Sequence, residues 1–156
     1  MSEKIKAIIF DLDDTLLHNN VPLTKVRPLL RKLNKEYKLI LLTNGKKEDT
    51  EKKLTFANLK FDYVFSRKNF FNRKPGKPIY KEILKLLDLE SKEVLAVGDK
   101  LVTDILGANR MKIVSVWFIS PKKFILNKLT KLLIRPKFVI RDILELESVL
   151  ELLNRN

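Results

Sequence analysis

The chain has 156 residues, the size of one domain around one core, and its 45% of hydrophobic residues suits a globular fold. It has no cysteine, which excludes disulfides, thiolate catalysis and cysteine-ligated zinc. Its net charge of +13 raises the local concentration of anions such as phosphates, nucleic acid or acidic lipid, unless the lysines serve solubility alone.

The opening run MSEKIKAIIFD meets a charge after only a short apolar stretch, so it reads as neither a signal peptide nor a spanning helix. No stretch of the chain is long and apolar enough to cross a bilayer. The expectation is a cytoplasmic protein whose only membrane contact would be peripheral, at the inner face.

Taken in chain order, residues 5–10 (IKAIIF) predict a buried strand. Residues 39–42, 62–66, 94–98, 113–119 and 137–140 predict five more, each short, rich in aliphatic residues and closed by polar or turn residues. Helical patterns lie between them. Thr24 is the expected cap of a helix over 25–36, with Pro28 in its first turn. Further helices are expected over 46–57, 77–88, 101–110, 123–133 and 142–153. The third has an apolar face of Ile79, Ile83, Leu84, Leu86 and Leu87, and the last a stripe of Leu144, Leu146, Val149, Leu150 and Leu153. Strands alternating with helices predict a doubly wound α/β domain over residues 1–156, with a Rossmann-like parallel sheet of five to six strands. In such sheets, ligands bind beyond the carboxyl ends of the strands.

The chemical residues fall there. Asp11 and Asp13 follow the first strand, where one carboxylate can attack and the other can move a proton, although an Asp-rich turn would look the same. Thr43, Asn44 and Gly45 follow the second and suit a phosphate oxygen or a plain turn. Lys74 and Lys77 each precede a proline near the start of the 77–88 helix, and either can neutralise an oxyanion. Asp99 ends the fourth strand and Asp104 lies in the next turn, as Mg2+ ligands or as helix caps.

Together these residues resemble the haloacid dehalogenase superfamily over nearly the whole chain. Asp11-Leu12-Asp13-Asp14-Thr15 looks like its DxDxT signature, Thr43 its second-strand hydroxyl, Lys74 its lysine, and Asp99 and Asp104 its acidic GDxxxxD signature. The resemblance implies a phosphatase. Asp11 would be the nucleophile, Asp13 the acid and base, and Thr43, Asn44 and Lys74 the phosphoryl holders. Mg2+ would sit on Asp11, Asp99 and the backbone carbonyl of Asp13, supported by Asp104. The intervals between the motifs leave no room for a cap domain, only for a short flap and the connecting elements, so the site would be open to a large substrate or closed by another subunit.

Residues 97–110 (VGDKLVTDILGANR) are similar to the run in the capless phosphatidylglycerophosphate phosphatases, subfamily IIIA, with Lys100 in place of a common Gln and Ala108 in place of a Gly. That implies a phospholipid head-group phosphate as substrate. Residues 122–137 (KKFILNKLTKLLIRPK) are basic and amphipathic, and fit either an interfacial helix on anionic lipid or an ordinary crossover helix. The alternatives are a phosphatase for a nucleic-acid end or a small phosphometabolite, and a non-catalytic phosphate-binding protein. His18, the only histidine, is expected to be a bystander on the flap.

Overall fold

Each expected strand forms, and the central ones carry the two-sided apolar pattern of a sheet covered on both faces. The computed structural model describes residues 4–69, 71–119 and 133–155. Among them, β1 (Ala7–Phe10) leads into a short hairpin, β2 (Leu17–His18) and β3 (Val21–Pro22), and then α1 (Val26–Leu33). β4 (Lys38–Leu42), α2 (Lys47–Ala57), β5 (Tyr63–Phe65) and α3 (Lys77–Leu87) follow. A 3-10 turn (Ser91–Glu93) precedes β6 (Val94–Gly98). A π-helical turn (Leu101–Ile105) then passes directly into α4 (Leu106–Arg110), and β7 (Val114–Phe118), β8 (Phe138–Ile140) and α5 (Glu145–Asn154) complete the chain.

The six main strands form one parallel sheet in the order β5-β4-β1-β6-β7-β8. From β1 the chain first builds outward through β4 and β5. It then returns to the other side of β1 and builds through β6, β7 and β8. The order therefore reverses between β1 and β6, and this is where a doubly wound sheet opens a crevice.

Alternation along β1 divides the core between the two faces. Ile8 and Phe10 join Leu39, Leu41, Leu95 and Val97 under α1 and α5. Ala7 and Ile9 join Ile40, Leu42 and Ala96 under α3. In α1, Val26, Leu29, Leu30 and Leu33 are all buried, and truncating any of its leucines to Ala would cost about 2–5 kcal/mol. Leu146, Val149 and Leu150 do the same for α5, with Leu144 and Leu153 partly buried beside them.

Three local expectations are corrected. Thr24 does not cap α1. Lys25 holds the N-cap position with φ 65° and no side-chain cap bond, because the chain enters the helix straight from the hairpin, where the Leu23 amide donates to the Leu16 carbonyl. The helix expected over 101–110 begins as a π turn. In α3 the apolar face is rotated, so that Tyr80 is buried with Ile79 and Ile83 while Leu86 is half-exposed.

Among the described residues, only the hairpin, α1 and β4 lie between Asp13 and Thr43, and only α2, β5 and a loop between Gly45 and Lys74, so no separate cap is inserted there. All but the last residue of the helix expected over 123–133, and most of the basic segment 122–137, lie outside the described residues. No described helix is long and apolar enough to cross a membrane.

Candidate active site

β1 and β6 deliver their last residues to the crevice at the reversal point. Asp11 follows β1, and its amide continues the pairing by donating to the Val97 carbonyl at 3.0 Å. Asp99 follows β6, and its backbone carbonyl accepts the indole N–H of buried Trp117 at 2.9 Å. Asp104 comes from the π turn, where its Oδ2 accepts the Lys100 amide at 3.0 Å. It thus ties back the turn that Asp99 was a candidate to cap.

Asp11, Asp99 and Asp104 are all buried, and each offers a carboxylate oxygen within 4.8 Å of the others. The Thr15 hydroxyl lies 3.3 Å from both Asp11 Oδ2 and Asp99 Oδ1, a long, shared bridge between the two strand ends.

Among the described residues, one cation enters this acidic cluster. Buried Lys74 Nζ donates to Asp11 Oδ1 at 2.7 Å and to Asp104 Oδ1 at 2.5 Å. Burial disfavours its charge, but the Asp104 and Asp11 carboxylates outweigh that and raise its pKa far above the ordinary lysine value. Burial, with help from the Asp11 charge, raises the pKa of Asp104 although Lys74 opposes the rise. Burial likewise raises the pKa of the neighbouring Tyr80 phenol, opposed by Lys74.

The Lys74 backbone is held by the Asn44 carboxamide. The Lys74 amide donates to Asn44 Oδ1 at 2.9 Å, and Asn44 Nδ2 donates to the Lys74 carbonyl at 3.0 Å. The Asn44 side chain, expected to hold phosphate, is therefore engaged with the lysine. The peptide that follows, Lys74–Pro75, is cis. Thr43 is buried beside it, and its Oγ1 accepts the Gly45 amide at 3.1 Å while keeping its own proton to donate. Lys77, the rival to Lys74, is exposed at the start of α3.

Asp13 departs from the cluster. Its carboxylate is outside the three-carboxylate group, and Lys53 from α2 holds it at 2.7 and 2.9 Å. The chain turns immediately after Asp13. Asp14 is left-handed at φ 61°, its amide donates to the Leu17 carbonyl, and the Leu16 amide returns to Leu12. His18 on the hairpin lies 3.3 Å from the Asp14 carboxylate, away from the cluster.

Sequence reasoning missed Thr15, Lys53 and Trp117 as neighbours of the acidic residues. Thr15 was within the signature run and could have been found from it. Lys53 is one of many lysines, and nothing in its local pattern separates it from Lys52.

The cluster is chemically fit for a divalent cation. Three carboxylates against one ammonium leave excess negative charge in a buried place, and oxygen donors are what a hard cation takes.

A family model described as haloacid dehalogenase-like hydrolase matches residues 18–118, a span that takes in Thr43, Lys74, Asp99 and Asp104. Among curated proteins, the chain is 32% identical over 96 residues to glyceraldehyde 3-phosphate phosphatase of Pyrococcus abyssi, covering 60% of this chain and 40% of the relative. It is 27% identical over 128 residues to human N-acylneuraminate-9-phosphatase, covering 81% and 50%. The chain thus spans about half the length of the curated relatives it matches. Among solved structures, the HAD-hydrolase YfnB of Bacillus subtilis, bound to magnesium, superposes with a TM-score of 0.82 at 16% identity, covering 95% of this chain and 99% of that one. The HAD phosphatase of Thermococcus onnurineus superposes with a TM-score of 0.79 at 20% identity, covering 94% and 98%. At these identities the structures speak for the shared fold.

Proposed function

The chain belongs to the haloacid dehalogenase-like hydrolase family, and on that premise we propose that it is a magnesium-dependent phosphatase that hydrolyses phosphate monoesters through an aspartyl-phosphate on Asp11. The observation that carries the reading is the Asp11 carboxylate itself. It is buried at the end of β1, held at 2.7 Å by a lysine that also binds Asp104, and grouped with two further carboxylates. The Lys74 ammonium complements a negative charge at Asp11, and an ionised carboxylate is the nucleophile the reaction needs.

In the first step an oxygen of Asp11 bonds to phosphorus as the ester P–O bond breaks, and Asp13 gives a proton to the departing alkoxide. In the second, Asp13 takes a proton from a water that attacks phosphorus, the Asp11–phosphorus bond breaks, and inorganic phosphate leaves with Asp11 restored. Lys74 and the Thr43 hydroxyl hold and neutralise the transferring phosphoryl oxygens, the part of phosphoryl transfer in which most of the catalysis lies. Asn44 keeps Lys74 in register. Mg2+ would be held by Asp11, Asp99 and the Asp13 backbone carbonyl, with Asp104 behind them. When bound it supplies positive charge that lets an anionic nucleophile meet an anionic ester.

The names of the curated relatives are those of phosphatases for small phosphorylated metabolites, which supports a small phosphate ester as substrate. The proposed unit is one catalytic domain over 1–156, whose described residues insert no cap between the motif residues. A second reading, a phospholipid head-group phosphate as in subfamily IIIA, rests on residues 97–110 and on the net charge of +13. The test is a phosphate-release screen with Mg2+ over sugar and acid phosphates, phosphatidylglycerophosphate in vesicles and 5′-phosphorylated oligonucleotides. Preference for a soluble ester supports the first reading and preference for the vesicle supports the second. No release from any of them, by a folded protein, contradicts both.

A further inference from the structure

The contact between Asp13 and Lys53 joins the proposed acid to a residue outside the family's motifs. Lys53 lies on the inward face of α2, one turn from Thr50 and Ala57, both of which are buried. The helix is therefore anchored against the body, and the Lys53 stem alone sets how far its ammonium can travel. Between them, Lys74 and Lys53 bond three of the site's four carboxylates, Asp11, Asp104 and Asp13. Lys74 is buried and bonds Asp11 and Asp104, whereas the Lys53 side chain is 30% exposed and bonds both oxygens of Asp13, itself 45% exposed.

That division has a consequence for the substrate. In the reaction above, Asp13 serves the leaving-group oxygen, so a cation touching both oxygens of Asp13 stands beside the leaving group. An ammonium has three donors, so a bidentate carboxylate leaves it one donor. Its partial exposure keeps the cost of exchanging one anionic partner for another low. Beside a neutral alcohol such a cation adds little. Beside an alcohol carrying its own negative charge it forms a charge-assisted hydrogen bond.

We infer that Lys53 is a specificity-determining residue that selects phosphate esters bearing a second anionic group, a carboxylate or a second phosphate, on the leaving-group side. The inference rests on the phosphatase reading and narrows its substrate class.

The test compares wild type, Lys53→Met, Lys53→Glu and Lys53→Arg at fixed Mg2+ and ionic strength. The substrates are two matched pairs: 3-phosphoglycerate against glycerol 3-phosphate, and phosphoglycolate against ethyl phosphate. The readout is the ratio of kcat/KM for the anionic member to that for the neutral one. We expect Lys53→Met to lower the ratio about tenfold or more, the worth of one hydrogen bond to a charged group. Lys53→Glu should lower it further, and Lys53→Arg should recover most of it. A ratio unchanged in Lys53→Met, with both members of a pair slowed alike, would overturn the inference and leave Lys53 as a holder of Asp13. A folded wild type that hydrolyses only esters with a neutral leaving group would also overturn it. No release from these four esters or from the wider panel above would overturn the phosphatase reading, and the inference with it.

Discussion

A Cβ placed on Gly98 would lie 2.4 Å from the Cβ, Cγ and Oδ2 of Asp104. Gly98 is the last residue of β6, one position before Asp99, and its missing side chain is what lets the π turn fold Asp104 down onto the strand. The Asp99–Asp104 pairing thus depends on a glycine that coordinates nothing. Gly98→Ala should force the turn outward at an overpacking cost of about 1–3 kcal/mol. For a chain of this length that is a fall in Tm of about 3–10 °C. Activity should fall with it, and Mg2+ should stabilise the variant less than it stabilises wild type. Thermal melts with and without Mg2+ check this, and an unchanged Tm would contradict it.

Lys74→Met leaves Asp11 and Asp104 facing each other, buried, without their cation. Breaking a buried pair in this way costs about 3–5 kcal/mol. We expect kcat/KM to fall about 100-fold or more, as for loss of one oxyanion donor. A second change, Asp104→Asn, should restore much of the stability by removing one of the stranded charges, but none of the activity. Denaturant melts on the single and double variants test the coupling, and strictly additive losses would contradict it.

How much of this was legible in the sequence varies with the kind of signal. The six strands were, because each is an apolar run with a polar stop, and the residues after those stops are the ones that converge. Asp11 and Asp99 needed only the ends of β1 and β6. Lys74 needed the motif as well, since nothing local distinguishes it from Lys77. The structure distinguishes them through Asn44, whose carboxamide grips the Lys74 backbone from 30 residues away. Lys53 was not legible at all. Its role depends on how α2 packs beside the β1 loop, and a half-polar helix face leaves no periodic trace of that. The start of α1 was misread for a related reason. Thr24 is a good cap by composition, but the hairpin fixes the entry one residue later, at Lys25.

Glu93 offers a check on the scaffold alone. Its carboxylate accepts from Lys6 Nζ at 2.5 Å and from the Glu90 amide at 2.8 Å, fastening the start of β6 beside β1. The Lys6 hydrogen bond, followed by the Glu90 amide, lowers its pKa below the ordinary 4.5. A carboxylate whose folded pKa is depressed stabilises the fold above its unfolded value, and that contribution is lost as pH falls through the folded value. Wild type should therefore exceed Glu93→Gln in Tm at pH 7, with the gap closing as the pH is lowered below 4.5. A gap that stays constant with pH would contradict this.

Asp11 is proposed to carry the phosphoryl group. Borohydride reduces an acyl phosphate to the alcohol, so quenching the enzyme with it during turnover would convert a phosphorylated aspartate to homoserine. Peptide mass spectrometry with fragmentation between Asp11 and Asp13 then locates the change. Wild type should show homoserine at position 11, dependent on both substrate and Mg2+, and Asp11→Asn should show none. Modification at Asp13 instead, or steady turnover with position 11 never modified, would contradict that role.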